Sequence, residues 1–220
     1  MTPVKMKLSS KFLEFIHHLS AHRIYNIDGK IIYLTTDVFS PKFTVTPKFV
    51  ADNLKLRSEW SILDMGTGSG YIAIRAAEKV RKVTAVDNNP SAVRCAKINV
   101  TLNRLNQKIA VYRSDLFSNL KNKVFDSIIF NPPYFPGEPK NPLQEAWLNT
   151  SPQKLIMKFT EQARNHLFNS GYIQLGYSSL GPLEKAKKII EDKGFKLIKE
   201  VSKKTIWETI SLMIFRVKNT

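Results

Sequence analysis

Apolar residues recur along this chain with two periods, and the change from one arrangement to the next divides it. Residues 11–22, KFLEFIHHLSAH, put Phe12, Leu13, Phe15, Ile16 and Leu19 at helical spacing. Over 24–36 two β-prone runs flank Asp28-Gly29, which predicts a hairpin. A proline-punctuated loop, FSPKFTVTP, leads to a short helix over FVADNLKL. From WSILDMG onward strands and helices take turns. SILD, KVTAVD, IAVYRSD and FDSIIFN read as strands, with helices from Gly70 to Lys79 and from Pro90, a residue suited to a first helical turn. A helix from Pro152 to Leu167, a strand GYIQLGYS and a helix PLEKAKKIIEDKG follow, then two closing strands, FKLIKEV and TIWETISLMIFRV. This alternation predicts an α/β fold, a seven-stranded, mostly parallel sheet with helices on both faces. The two closing strands have no helix between them, so the last should run antiparallel. Residues 1–45 are expected to form an N-terminal appendage of helix and hairpin, and 46–220 the main domain.

Composition narrows the class. The 220 residues are 43% hydrophobic, enough for a packed core. No apolar run approaches the roughly 18 residues of a membrane span. The N-terminus, MTPVKMKLSSKF, lacks a secretory layout, so a cytoplasmic protein with no membrane association is expected. The single cysteine, Cys95, lies in a helical pattern and reads as a small core residue. The four histidines lack acidic or cysteine companions at ligand spacing, so no metal site is expected. A formal net charge of +16 attracts phosphate and would speed encounter with nucleic acid or a ribonucleoprotein; a lysine-rich solvated surface gives the same number.

The strand SILD ends in Asp64-Met65-Gly66-Thr67-Gly68-Ser69-Gly70, ahead of a helix. Glycines there let the backbone turn sharply and approach a ligand at the carboxyl edge of the sheet. The spacing is not that of a dinucleotide fingerprint, because residue 71 is Tyr71, and no Gly-Lys-Ser/Thr follows to make a phosphate loop. The second strand ends in Asp87, 21 residues after Gly66. A carboxylate at that point can accept both hydroxyls of a ribose. It can also cap the next helix, as can Asn88 or Asn89. The third strand ends in Ser114-Asp115-Leu116-Phe117, where Asp115 can accept from an adenine amino group and Leu116 can pack on the ring.

After the fourth strand stands Asn131-Pro132-Pro133-Tyr134. The Asn131 side-chain oxygen and the Pro132 carbonyl are two acceptors on a turn stiffened by two prolines. Together they can grip both hydrogens of a planar NH2 group, and Tyr134 offers a face for stacking. An amide or exocyclic amine is a poor nucleophile, because its lone pair is delocalised. Accepting both hydrogens returns electron density to nitrogen, so catalysis would rest on positioning and polarisation.

The three strand ends, in order, resemble the S-adenosylmethionine site of class I methyltransferases, and NPPY is shared by enzymes that methylate amino or amide nitrogen. From Leu63 onward the chain most resembles the HemK-type family, which methylates a glutamine in translation release factors. DMGTGSGYIAIRAA, AVDNNPSAVRCAKINVTLN, FNPPYFP, Glu145-Ala146-Trp147, IQLGYSSL and Trp207-Glu208-Thr209-Ile210 carry the likeness. Two segments depart from it. Leu148-Asn149-Thr150 stands where a glycine pair is usual, and Pro41-Lys42-Phe43-Thr44-Val45-Thr46 is basic and about one residue out of register, leaving open whether Thr44 or Thr46 meets the cofactor.

The resemblance implies a Rossmann-like domain that uses S-adenosyl-L-methionine and releases S-adenosyl-L-homocysteine. It implies cofactor contacts at Thr46, Asp64, Gly66, Thr67, Gly68, Gly70, Asp87, Asn88, Asp115, Leu116 and Asn131, and acceptor chemistry at Asn131, Pro132 and Tyr134. The implied acceptor is a release-factor glutamine; the alternative is adenine N6 or guanine N2 of rRNA or tRNA. In the archaeal and eukaryotic branch it also implies a small zinc-binding activator subunit as a partner.

Overall fold

A computed structural model describes residues 14, 15, 17 and 22–218. Most of the helix expected over 11–22 lies outside them. The hairpin forms as the sequence predicts, β1 (Arg23–Ile27) against β2 (Lys30–Leu34), with Asp28 and Gly29 both at positive φ in the turn.

The seven-stranded sheet has the order β10-β11-β9-β6-β3-β4-β5. Its strands are β3 (Ser61–Met65), β4 (Lys82–Asp87), β5 (Ile109–Arg113), β6 (Phe125–Phe130), β9 (Leu167–Ser178), β10 (Phe195–Lys204) and β11 (Thr209–Val217). Only β11 runs against the others, pairing antiparallel with both β9 and β10. A two-stranded ladder, β7 (Phe135–Pro136) with β8 (Leu148–Asn149), folds the segment after NPPY back on itself.

The central strands bury alternate residues on opposite faces, which is why they read as continuous apolar runs. Ile62, Ile129 and Ile214 join one core under α1 (Val45–Asn53), α2 (Tyr71–Ala76) and α3 (Pro90–Leu102). Leu63, Ile128 and Met213 join the other, under α4 (Pro152–Ala163) and α5 (Leu183–Asp192). No helix among the described residues is long and apolar enough to cross a membrane.

Several boundaries differ from the sequence expectation. Helix α1 starts at Val45 rather than Phe49 and ends at Asn53. Pro47 fits because the first-turn N–H groups of a helix have no intrahelical partner to lose. Helix α2 stops at Ala76, short of Lys79. Helix α4 gives way to a 3-10 turn at Arg164–His166, so β9 begins at Leu167 rather than Gly171. The last strand starts at Thr209, because Thr205–Glu208 closes the β10–β11 hairpin: the Thr205 N–H donates to the Glu208 carbonyl at 2.8 Å.

The β1–β2 hairpin is held to α3 by two asparagines one helical turn apart. Asn99 accepts from the Tyr33 N–H at 2.7 Å and donates to the Tyr33 carbonyl at 2.9 Å. Asn103 does the same for Ile31, at 3.1 and 2.7 Å. Residues two apart on a strand and four apart on a helix are both separated by about 6 Å, so the side-chain amides stand in for a neighbouring strand. Asn99 also donates to the Ser69 carbonyl at 2.8 Å, joining the hairpin to the glycine-rich turn.

Candidate functional site

The chain runs outward from β3 to β4 and β5, then returns to the other side of β3 as β6. At such a switch point the carboxyl ends of the strands diverge and leave a crevice. A cavity of about 1040 Å³ lies there, lined by the ends of β3, β4, β5 and β6 together with residues of 37–47 and 142–150.

The glycine-rich turn is fastened from behind. Asp64 is buried, and its carboxylate accepts from the Thr67 hydroxyl at 2.6 Å, while the Thr67 N–H donates to the Val86 carbonyl at 2.9 Å. Burial pushes the Asp64 carboxyl up to about 7. Gly66, Thr67 and Gly68 line the cavity; Asp64 and Gly70 do not. Gly68 has φ +54° with open space where a side chain would stand. Gly70 caps α2 at φ +81°, and a Cβ there would come within 3.2 Å of Ala96, so its glycine serves the packing of α2 on α3. The structure thus places Asp64 and Gly70 in support of the turn rather than on its ligand-facing side.

Asp87 bridges two backbone turns. Its Oδ2 accepts from the Gly68 N–H and its Oδ1 from the Asn89 N–H, both at 2.9 Å. A carboxylate has about four acceptor sites, so each oxygen keeps capacity for a hydroxyl. Burial raises its affinity for a proton, opposed by the N–H groups of Gly68, Asn89 and Asn88. Capping of α3 falls to Asn89, whose side chain accepts from the Ser91 N–H at 2.8 Å. Asn88 lines the cavity beside Asp87. At the next strand end Leu116 is buried at φ +47°, and the Ser114 hydroxyl donates to its carbonyl at 2.7 Å. Asp115 is exposed at the rim and pairs with Lys158 at 3.0 Å.

At the end of β6, Asn131, Pro132 and Tyr134 all line the cavity. The Asn131 Oδ1 is buried and has no hydrogen-bond partner within the protein. Gly176 on β9 leaves the room it occupies; a Cβ there would lie 3.2 Å from that oxygen. The Tyr134 ring packs against Tyr177 and Phe135, and its hydroxyl lies 3.3 Å from that of Thr46. Burial holds the Tyr134 phenol well above its ordinary pKa, and the Glu208 carboxylate adds to this. Both threonines left open by the sequence line the cavity. The Thr44 hydroxyl is turned to the Ser40 carbonyl at 3.1 Å, so Thr46 is the one that meets the acceptor motif.

Sequence reasoning missed part of the wall. Phe39 and Trp147 line the cavity and tilt against each other at 5.8 Å, with His17 stacked on Phe39. Glu208, which accepts from the Ser178 hydroxyl, lines the far side. The signal for Trp147 was a large aromatic in a polar stretch, NPLQEAWLNT. The lining holds five carboxylates, Asp37, Asp87, Asp115, Glu145 and Glu208, and, among the described residues, no lysine, arginine or histidine. In a chain of net charge +16 the cavity is therefore an acidic island.

The doubly wound sheet with one antiparallel strand, and a cavity at its switch point between a glycine-rich turn and NPPY, define a Rossmann-like class I methyltransferase. Residues 31–206 match the family model of the methyltransferase small domain, and the chain belongs to that family. It is 32% identical to a Methanocaldococcus jannaschii protein provisionally named a protein N5-glutamine methyltransferase, over 79% of this chain and 89% of the relative. It is 34% identical to a release factor glutamine methyltransferase of Shewanella oneidensis, over 63% of this chain but only 52% of that one. A tRNA1(Val) (adenine(37)-N6)-methyltransferase of Actinobacillus pleuropneumoniae is 30% identical over 62% and 57% of the two chains. The structure of a methyltransferase from Pyrococcus furiosus superposes with a TM-score of 0.65 at 22% identity, over 98% of this chain and 99% of the other.

Proposed function

We propose that this enzyme transfers the methyl group of S-adenosylmethionine to the side-chain amide nitrogen of a glutamine in a translation release factor. The observation behind the acceptor assignment is Asn131, which lines the cavity with the glycine-rich turn and Tyr134 and whose Oδ1, buried beside Gly176, has no hydrogen-bond partner in the protein. A buried acceptor without a donor costs about 1–3 kcal/mol, and an incoming NH2 group relieves it.

The cavity suits the cofactor by its charge and its hydrogen bonding. S-adenosylmethionine supplies an electrophilic methyl on a sulfonium cation, and the five carboxylates make the cavity favourable to a cation. Asp87 keeps acceptor capacity for two ribose hydroxyls, Gly68 allows close approach, and Leu116 and Asp115 stand where the adenine would lie. Asn131 Oδ1 and the Pro132 carbonyl then hold the two amide hydrogens, while Tyr134 and Thr46 confine the plane of the group. Tyr134, held protonated by its surroundings, is a packing surface rather than a base.

The choice of a polypeptide over RNA follows a relative of which this chain covers 89%, the protein provisionally named a protein N5-glutamine methyltransferase. Following the family resemblance, we further infer a small zinc-binding activator on a sheet edge. Edge β10 carries Lys196, Lys199, Lys203 and Lys204, a charge pattern that blocks pairing, and β5 is the less protected edge. Radiolabelled methyl transfer to purified release factor and to bulk RNA, run in parallel, tests the substrate: label is expected on the release factor, and label confined to RNA would overturn the assignment.

A further inference from the structure

The turn that joins β10 to β11 breaks the usual rule for its composition. Its two central residues are Ile206 and Trp207, where short hairpin turns favour Gly, Asn, Asp or Ser. They are 91% and 74% exposed, whereas the other two tryptophans, Trp60 and Trp147, are buried. Both keep negative φ, and no ring or cation contact engages the Trp207 indole among the described residues. Folding of the chain gives no reason for two large apolar side chains there.

The turn is nonetheless well anchored. The Thr205 hydroxyl accepts from the N–H groups of Trp207 and Glu208, at 3.3 and 3.1 Å, and donates to the Glu208 carbonyl at 2.9 Å. Ser178 on β9 donates to the Glu208 carboxylate. Such fastening displays the tip without the ordering cost a loose loop would add on binding. The tip also adjoins the chemistry: Thr205, Trp207 and Glu208 line the same cavity as Asn131 and Tyr134.

We propose that Ile206 and Trp207 anchor the acceptor polypeptide, binding an apolar side chain that flanks the target glutamine and so setting substrate specificity. This rests on the release-factor reading above. Exposed tryptophan beside a pocket is the residue type that most often dominates an interface. The charge of the adjoining wall selects the class of occupant. Among the described residues the cavity lining beside the tip carries Glu208 and no basic side chain, so a phosphate passing from the tip toward Asn131 meets like charge while a neutral polypeptide segment does not. Lys203 and Lys204 stand on β10 ahead of the tip, outside the lining.

The test uses the full-length enzyme with intact release factor and, separately, bulk RNA. Trp207→Ala and Ile206→Ser are compared with wild type and Trp207→Phe for KM, kcat and cofactor affinity. Because both side chains are solvent-exposed, melting temperatures should stay near wild type. The expected result for Trp207→Ala is a KM for release factor raised roughly tenfold, with kcat and cofactor affinity within about threefold and recovery in Trp207→Phe. An unchanged KM in Trp207→Ala, while wild type labels the release factor, overturns the anchor and leaves the functional reading standing. Label that goes to RNA alone from the wild-type enzyme overturns both. Loss of kcat in step with loss of folded protein would show the turn to be structural, and also overturns the anchor.

Discussion

The hydroxyl of Thr46, in the first turn of α1, lies 3.3 Å from the phenol oxygen of Tyr134, which stands just beyond β6. This contact ties the segment that enters the main domain to the acceptor motif, and it orients the Tyr134 ring from its outer end. Removing only the hydroxyl leaves the ring face and its packing on Tyr177. Tyr134→Phe should therefore keep turnover within about fivefold of wild type, while Tyr134→Ala loses roughly 100-fold. Steady-state rates for the two variants check this; a Phe variant as slow as the Ala variant would assign the hydroxyl a chemical role.

Asn131→Ala removes the orphan acceptor. Turnover should fall about 100-fold or more, as for other groups aimed at a reacting centre, with cofactor affinity nearly unchanged. Asn131→Asp keeps two oxygen acceptors and should retain partial activity. Single-turnover rates measured beside melting temperatures separate this from a turn-forming role, in which activity would simply follow the folded fraction.

Asp87→Ala should weaken S-adenosylmethionine binding by roughly 1.5–3 kcal/mol, through loss of charge-assisted hydrogen bonds. Part of the loss comes through the Gly68 and Asn89 N–H groups that Asp87 now holds. Calorimetric titration of the folded variant decides it, and unchanged affinity would remove Asp87 from the binding site.

Asn99→Leu tests the joint between the hairpin and the glycine-rich turn. The substitution strips partners from the Tyr33 N–H and from the carbonyls of Tyr33 and Ser69 at a fully buried position. A destabilisation of roughly 3 kcal/mol is expected in urea denaturation, with weaker cofactor binding as the turn loosens. A variant with wild-type stability would show that the hairpin docks by apolar packing alone.

Asp64 makes stability depend on pH. In the folded chain it holds its proton up to about pH 7, whereas an unfolded aspartate releases it near pH 4. Between those values the folded state binds the extra proton, so this contribution is complete below about pH 4 and is lost as pH rises to about 7. Its full span is on the order of 4 kcal/mol. The stability difference between wild type and Asp64→Asn, followed by denaturant titration across that range, should shift in this direction; a difference independent of pH would contradict it.

The sheet was legible because its strands announce themselves as apolar runs bounded by turn-forming segments, Gly66 to Gly70, Asn88 to Pro90 and Asn131 to Pro133. The choice between Thr44 and Thr46 was not resolvable from sequence, because Pro47 is tolerated in a first helical turn and so does not mark where α1 starts. Asp64 and Gly70 sit inside a ligand-binding sequence pattern but serve the far side of its turn, a distinction that depends on which way each side chain faces. The β10–β11 turn escaped notice for the opposite reason. Ile206 and Trp207 are strand-forming residues in a run of strand-forming residues, so TIWETISLMIFRV reads as one unbroken strand until Thr205 is seen to fold back on Glu208.

The acidic lining of the cavity bears on what happens after methyl transfer. On the proposed reaction Asp37, Asp87, Glu145 and Glu208 would attract a cationic sulfonium and have no such hold on the neutral thioether left behind, while Asp115 is already paired with Lys158. The walls that draw the donor in thus weaken their grip at the moment the reaction is complete.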